Sequence, residues 1–119
     1  MANDMSLINY IEAGINAEGV RQKAIANNVA NMNTPGYRRS DIQFEDILAK
    51  AIASNGRVDV SEIKPEYYEP KTTPLNAIGN DVSLDSEVGA MIKNSLRHKT
   101  FLMLLKKKYS QYAAAMNSR

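Results

Sequence analysis

The chain has no cysteine, no tryptophan and one histidine, and aromatics make up only 7% of its 119 residues. Without cysteine, disulfides and thiolate metal sites are excluded, and the redox compartment is left open. The lone histidine, His98, has no Cys or acid at metal-ligand spacing, so neither a metal centre nor a histidine-assisted nucleophile is indicated. An excess of one charge is missing too. Fifteen Lys+Arg face 13 Asp+Glu for a net +2, which gives no reason to expect nucleic acid or an anionic membrane as partner. No apolar run approaches the roughly 20 residues that span a bilayer. The opening MANDMSLINY lacks the basic start, apolar core and cleavage site of a secretory signal. The expectation is a cytosolic chain, or one that leaves the cytosol by a route reading no such signal. The length suits one domain, taken as residues 1–119.

What is present is heptad patterning at both ends. Ile8, Ile11, Ile15, Glu18, Gln22, Ile25, Val29 and Met32 step alternately by three and four, the seam of a coiled coil. This predicts a helix over 7–32, with Ser6 as N-cap. Gly14 and Gly19 each cost about 1 kcal/mol of helix propensity, which points to close packing or to a helix stable only when docked. A second series runs through Leu84, Val88, Met91, Ser95, His98, Leu102, Leu105, Tyr109, Tyr112 and Met116. It predicts a helix over 83–116, capped by Ser83, with Asp85 and Glu87 at the positive end of the dipole. Antiparallel pairing sets the polar pair Glu18/Gln22 opposite Ser95/His98, one polar layer that fixes register in an apolar seam. The fold class is therefore mainly α: long N- and C-terminal helices packed as an antiparallel coiled-coil-like pair around an irregular middle, residues 33–80.

The first helix ends on a distinctive stretch. Asn27, Asn28, Asn31 and Asn33 precede Thr34-Pro35-Gly36-Tyr37. Asparagine amides disfavour mid-helix positions and suit helix ends, where carbonyls lack partners. Pro35 stops the helix, and Pro35-Gly36 fits the centre of a type II turn. A helix needs one cap, so four amides leave two readings open: self-capping of the turn, or hydrogen bonding to another chain. In the middle, residues 42–53 place Phe44, Ile47, Leu48, Ala51 and Ile52 on one face of a short amphipathic helix. Residues 57–63 alternate like a short strand, and KPEYYEPKTTP, with three prolines, reads as extended. A turn over 77–81 leads into the last helix.

Candidate chemistry is sparse. Glu45 and Asp46 are adjacent and diverge on a helix, which does not suit paired acid–base work. Asp81, Asp85 and Glu87 lack the calcium-loop pattern and read as helix capping. Lys106, Lys107 and Lys108 face different ways, about 100° apart on the wheel, and make no single phosphate patch. No cofactor, metal or catalytic residue is expected.

The run ANNVANMNTPGY, residues 26–37, resembles the N-terminal signature of flagellar rod and hook proteins. NDVSLDSE (80–87) and NSLRHKTFLMLLKKKY (94–109) are similar to the C-terminal pattern of that family's proximal-rod members. The resemblance implies a structural, non-enzymatic subunit of a hollow axial tube crossing the bacterial periplasm, needed for motility. Its terminal helices would form an inner layer completed by neighbours. It implies export by the flagellar type III apparatus without a cleaved signal, and partners that include further copies of itself, FliE, FlgC, FlgF and the export gate. Phe44 to Leu48, FEDIL, fits the family's Phe-x-x-x-apolar export element, although a helix core face explains the same residues. The site residues implied are the helix seams and the Asn27–Tyr37 elbow. The alternatives are a FlgC-type rod subunit, a small cytosolic helical-hairpin regulatory protein, and, less favoured by charge, a nucleic-acid-binding helical protein. Two amphipathic helices and a loose middle bury little, so ordering on assembly is the further expectation.

Overall fold

A computed structural model describes residues 4–55, 59 and 62–118. In chain order it contains α1 (Asp4–Ala30), β1 (Asp41–Gln43), α2 (Glu45–Ala53), β2 (Glu66–Tyr68) and α3 (Leu84–Asn117). Helix α1 begins before Ser6, so that residue lies inside the helix and is not its N-cap. Its C-terminal end tightens beyond Ala30, where Met32 N–H donates to Val29 O at 3.3 Å. Ser83 does cap α3, its side chain accepting from Ser86 N–H. Helices α1 and α3 run antiparallel, with Asn28 beside Glu87, Glu18 beside Asn94 and Arg97, and Glu12 beside Tyr109. The molecule is correspondingly elongated, 67 × 28 × 15 Å.

Helix α1 carries two buried stripes. Ala17 and Ala24 pack with Ile42, Phe44, Ala51 and Ile63 of the middle segment, flanked by Tyr10, Ala13, Val20, Ile47 and Leu48. The middle is thus the other half of a core, not a loose connector. The second stripe, holding Ile8, Ile11, Glu18, Ile25 and Asn28, is buried as well, and its polar members contact α3. Gly14 lies on that side for a steric reason: a Cβ there would sit 2.6 Å from the Phe101 ring. Gly19 has no such neighbour within 4 Å.

The face that α3 turns to α1 differs from the expected seam. Glu87 and Asn94 are buried and Phe101 packs on Gly14, a line repeating every seven residues. Met91, His98, Leu105 and Tyr112 are half-buried beside it. Leu84, Val88, Leu102 and Tyr109, expected inside, are exposed. The polar layer is shifted accordingly: Glu18 meets Asn94 and Arg97, while Gln22 and Ser95 face outward. An apolar-weighted reading passes over Glu87 and Asn94, yet α1 offers them complementary partners in Asn28 and Glu18.

The strands fall elsewhere than expected. Residues 57, 58, 60 and 61 of the anticipated strand lie outside the described residues, and Asp59, Glu62 and Ile63 are not in a strand. The pairing segment is β2, inside the proline-containing run, antiparallel to β1 with Asp41 opposite Tyr68 and Gln43 opposite Glu66. Ile42 belongs to β1, and α2 starts at Glu45 with Phe44 at its N-cap position. No helix is long and apolar enough to cross a membrane among the described residues.

Candidate functional site

The stretch after α1 folds into a clasp. Tyr37 N–H donates to Thr34 O at 3.3 Å and Gly36 has φ +74°, the backbone sign that the second central position of a type II turn requires. The amides upstream divide their labour. Asn28, fully buried, donates through Nδ2 to Ser40 O at 2.8 Å, and its Oδ1 accepts from Ser40 N–H at 2.9 Å. One side-chain amide thereby imitates a strand partner for the residue next to β1. Tyr37 OH donates to the same Oδ1 at 2.9 Å and accepts from Asn27 Nδ2 at 2.9 Å. Burial pushes the Tyr37 phenol above its ordinary pKa, against the lowering effect of these polar neighbours. Asn31 Nδ2 donates to Asn27 O at 2.8 Å, and Thr34 Oγ1 donates to Asn31 Oδ1 at 3.2 Å. Asn33 and Pro35 are exposed. Of the two readings of the amides, the single chain realises the internal one for Asn27, Asn28 and Asn31.

The clasp closes on a second turn just before α3. Gly36 N–H donates to Ile78 O at 2.8 Å. Asn80 Nδ2 donates to both Asn31 O and Thr34 O at 2.9 Å, so it ties the turn that follows α1 to the approach to α3. Gly79 has φ +76°, and a Cβ there would lie 3.6 Å from Gly36 Cα. The Arg39 backbone N–H donates to Asp81 Oδ1 at 2.6 Å, and Arg39 Nε donates to Glu87 Oε1 at 2.7 Å. Asp81 and Glu87 are therefore not helix caps. They are buried anchors that fix where the chain returns, with Arg38 Nε 3.6 Å from Asp81 Oδ2. Desolvation lowers the affinity of Arg39 for its proton, but the Glu87 hydrogen bond and charge outweigh it and hold the pKa above the usual value.

A second ionic cluster sits midway along the helix pair. Arg21 donates to Glu18 Oε2 at 2.6 Å and to Glu45 Oε1 at 2.7 Å, tying α1 to the start of α2. Arg97 Nε donates to Glu18 Oε1 at 3.0 Å, and Asn94 Nδ2 donates to Glu18 O at 2.6 Å. Burial raises the Glu45 pKa, yet the hydrogen bond and charge of Arg21 prevail and hold it below the ordinary carboxylate value. Reading the sequence missed Arg39, Asn80, Asp81, Glu87, Asn94 and Arg21 as site residues. For Glu87 and Asn94 the signal was available: they stand seven residues apart on one line with Phe101, a second heptad beside the apolar one.

The remaining expected residues divide by place. Ile8, Ile11, Ile25 and Phe44 are buried, and Ile15, Val29 and Leu48 partly so. The outer side of α3 carries open apolar residues: Val88, Ile92, Leu96 and Met103 are 50%, 57%, 61% and 66% exposed, with exposed Lys99 and Thr100 between the last two. Among the described residues no group of His, Cys, Asp or Glu could hold a metal ion.

Residues 11–38 match the family model described as flagella basal body rod protein. The chain is similar to the flagellar basal body rod protein FlgB of Borreliella burgdorferi, 31% identical over 66% of this chain and 72% of that one. It is also similar to the FlgB proteins of Buchnera aphidicola, 25% identical over 84% of this chain and 86% of the relative, and of Bacillus subtilis, 26% identical over 87% of each.

Proposed function

We propose, because this chain belongs to the FlgB family of flagellar basal body rod proteins, how its structure is used there. It is a structural subunit of the bacterial proximal rod, and the cytosolic regulator and FlgC-type readings are not favoured. The observation that carries the mode of assembly is the asymmetry between the two helices. Helix α1 is covered on one side by α3 and on another by the middle segment. Helix α3 is covered on one side only. At Phe101-Leu102-Met103-Leu104-Leu105 it is apolar around its whole circumference, with Leu102, Met103 and Leu104 exposed. A turn that is apolar all round belongs in an interior, and here only other subunits supply one.

In this reading the Asn27–Tyr37 elbow, including Asn33, Thr34 and Pro35, works as a clasp. It sets the angle at which α3 is presented, and neighbours then complete the layer around Leu84, Val88, Met91, Leu102, Leu105, Tyr109 and Tyr112. Those neighbours are further copies together with FliE, FlgC and FlgF. The subunit reaches the rod through the flagellar type III apparatus. Phe44 is 4% exposed in the folded chain, so a gate that reads Phe44 to Leu48 must meet it unfolded. No catalysis is assigned.

Leu96→Glu and Met103→Glu test the reading. Each side chain is exposed, so chain stability should change by no more than about 0.5 kcal/mol. Incorporation into purified basal bodies, and motility, should be lost. Normal motility in both variants would refute assembly through this face.

A further inference from the structure

Beside β1, between α1 and α3, lies a cleft of about 410 Å³. Arg21, Arg39, Lys93 and Arg97 stand around it, over a floor that includes Ile25 and Gly89. Arg39 and Arg97 are each engaged through Nε, to Glu87 and Glu18, while buried Arg21 commits both terminal nitrogens to Glu18 and Glu45. A guanidinium has five N–H donors, so each keeps unused ones. Lys93 is exposed and makes no ion pair among the described residues. Asp41 in the lining, 4.0 Å from Arg39, and Glu18, Glu45 and Glu87 behind it bring the overall charge near neutral, so a free anion gains little here. A carboxylate delivered on a neighbouring subunit is favoured differently, because it arrives at high effective concentration and meets donors already fixed in place.

The same chain exposes a complementary edge. All of β2 is exposed, with Tyr67 at 58% and Tyr68 at 42%, and Glu66 and Glu69 flank the two rings. Among the described residues neither acid pairs with a cleft cation of its own chain, and Glu69 pairs with Lys71 at 4.0 Å. Carboxylates suit the rim, and tyrosine rings suit both guanidinium faces and the apolar floor. Head-to-tail contact between two different patches of one molecule is the geometry that builds helical assemblies. We propose that the cleft receives the Glu66–Glu69 edge of a second copy of this chain, a contact that rests on the rod-subunit reading.

The chain's lack of cysteine permits a direct test. Ser86→Cys, in the cleft lining, is placed in one copy and Tyr67→Cys in another, and basal bodies containing both are oxidised. A covalent dimer is expected, and Lys106→Cys in place of Ser86→Cys should give none above background. Adding Gly89→Leu to the Ser86→Cys copy should cut the dimer yield at least tenfold. That substitution projects into the cleft from a position whose Cβ meets nothing within 4 Å, and helix circular dichroism of the variant checks that the fold is kept. Lys93→Glu, at an exposed side chain, should lower the yield in the same direction. Basal bodies that contain both copies but form no dimer, or form it regardless of Gly89→Leu and Lys93→Glu, overturn the contact and leave the rod reading intact. A cross-link to a different basal-body protein likewise excludes a second copy as the occupant. Absence of the unsubstituted chain from basal bodies removes the rod reading and this contact together.

Discussion

Asn28 is the position where one atom changes most. Its amide makes a two-point pair with the Ser40 backbone, accepts from Tyr37 OH, and holds Nδ2 3.3 Å from both oxygens of Glu87. Asn28→Ala removes these four interactions, and at about 1 kcal/mol net each it should cost roughly 4 kcal/mol. Asn28→Asp keeps the shape, and keeps an acceptor for Ser40 N–H and Tyr37 OH. It also turns the donor toward Ser40 O into a second acceptor and sets a carboxylate against Glu87. At an effective dielectric near 20, two unit charges 3.3 Å apart repel by about 5 kcal/mol. Since small domains are stable by only about 5–15 kcal/mol, cooperative unfolding of Asn28→Asp should be weak or absent at pH 7. Urea unfolding of the full chain followed by helix circular dichroism measures this. In the double variant Asn28→Asp/Glu87→Gln the repulsion is gone, and the loss should fall well short of the sum of the singles. Additive losses, or an Asn28→Asp variant no worse than Asn28→Ala, would refute the placement of the amide against the buried acid.

The two glycines of α1 should respond oppositely. Gly19→Ala should stabilise by up to about 1 kcal/mol, since nothing lies near its Cβ. Gly14→Ala must displace the Phe101 ring and should forfeit that gain or lose about 1–3 kcal/mol in thermal unfolding, so equal stabilisation at both sites would contradict the contact. Glu45 has its pKa held below the ordinary 4.5, so its contribution is present above that pH and is lost as pH falls through the lowered value. Stability measured from pH 6 to pH 3 should therefore fall less steeply in Glu45→Gln than in the parent chain. If the two slopes are the same, the Arg21–Glu45 bond adds nothing to the fold.

The extent of what was legible varies by element. The Thr34–Tyr37 turn was readable in full, because a proline that ends a helix and a glycine with positive φ are local constraints. Helix α3 was readable as a helix but not in its orientation. Steps of three and four admit two neighbouring seams, one through Val88 and Leu102 and the other through Glu87, Asn94 and Phe101, and apolarity alone chooses the first. The core beneath the middle segment was half legible. Phe44, Leu48 and Ala51 announced a face, while the pairing of β1 with β2 across a proline-containing run did not follow from either strand's composition.

The sequence by itself determined the pieces: two long helices, a sharp stop at Pro35 and a small amphipathic helix, along with the resemblance that leads to the rod. Each of these follows from interactions within a few residues, which the order of side chains specifies directly. Only the tertiary structure decided which face of α3 turns inward and what the asparagines hold. Burying Glu87 or Asn94 is unfavourable until Arg39, Asn28 and Glu18 arrive from residues some fifty to eighty positions away. The same choice leaves Ile92, Leu96 and Met103 outside, where a single chain has nothing to cover them.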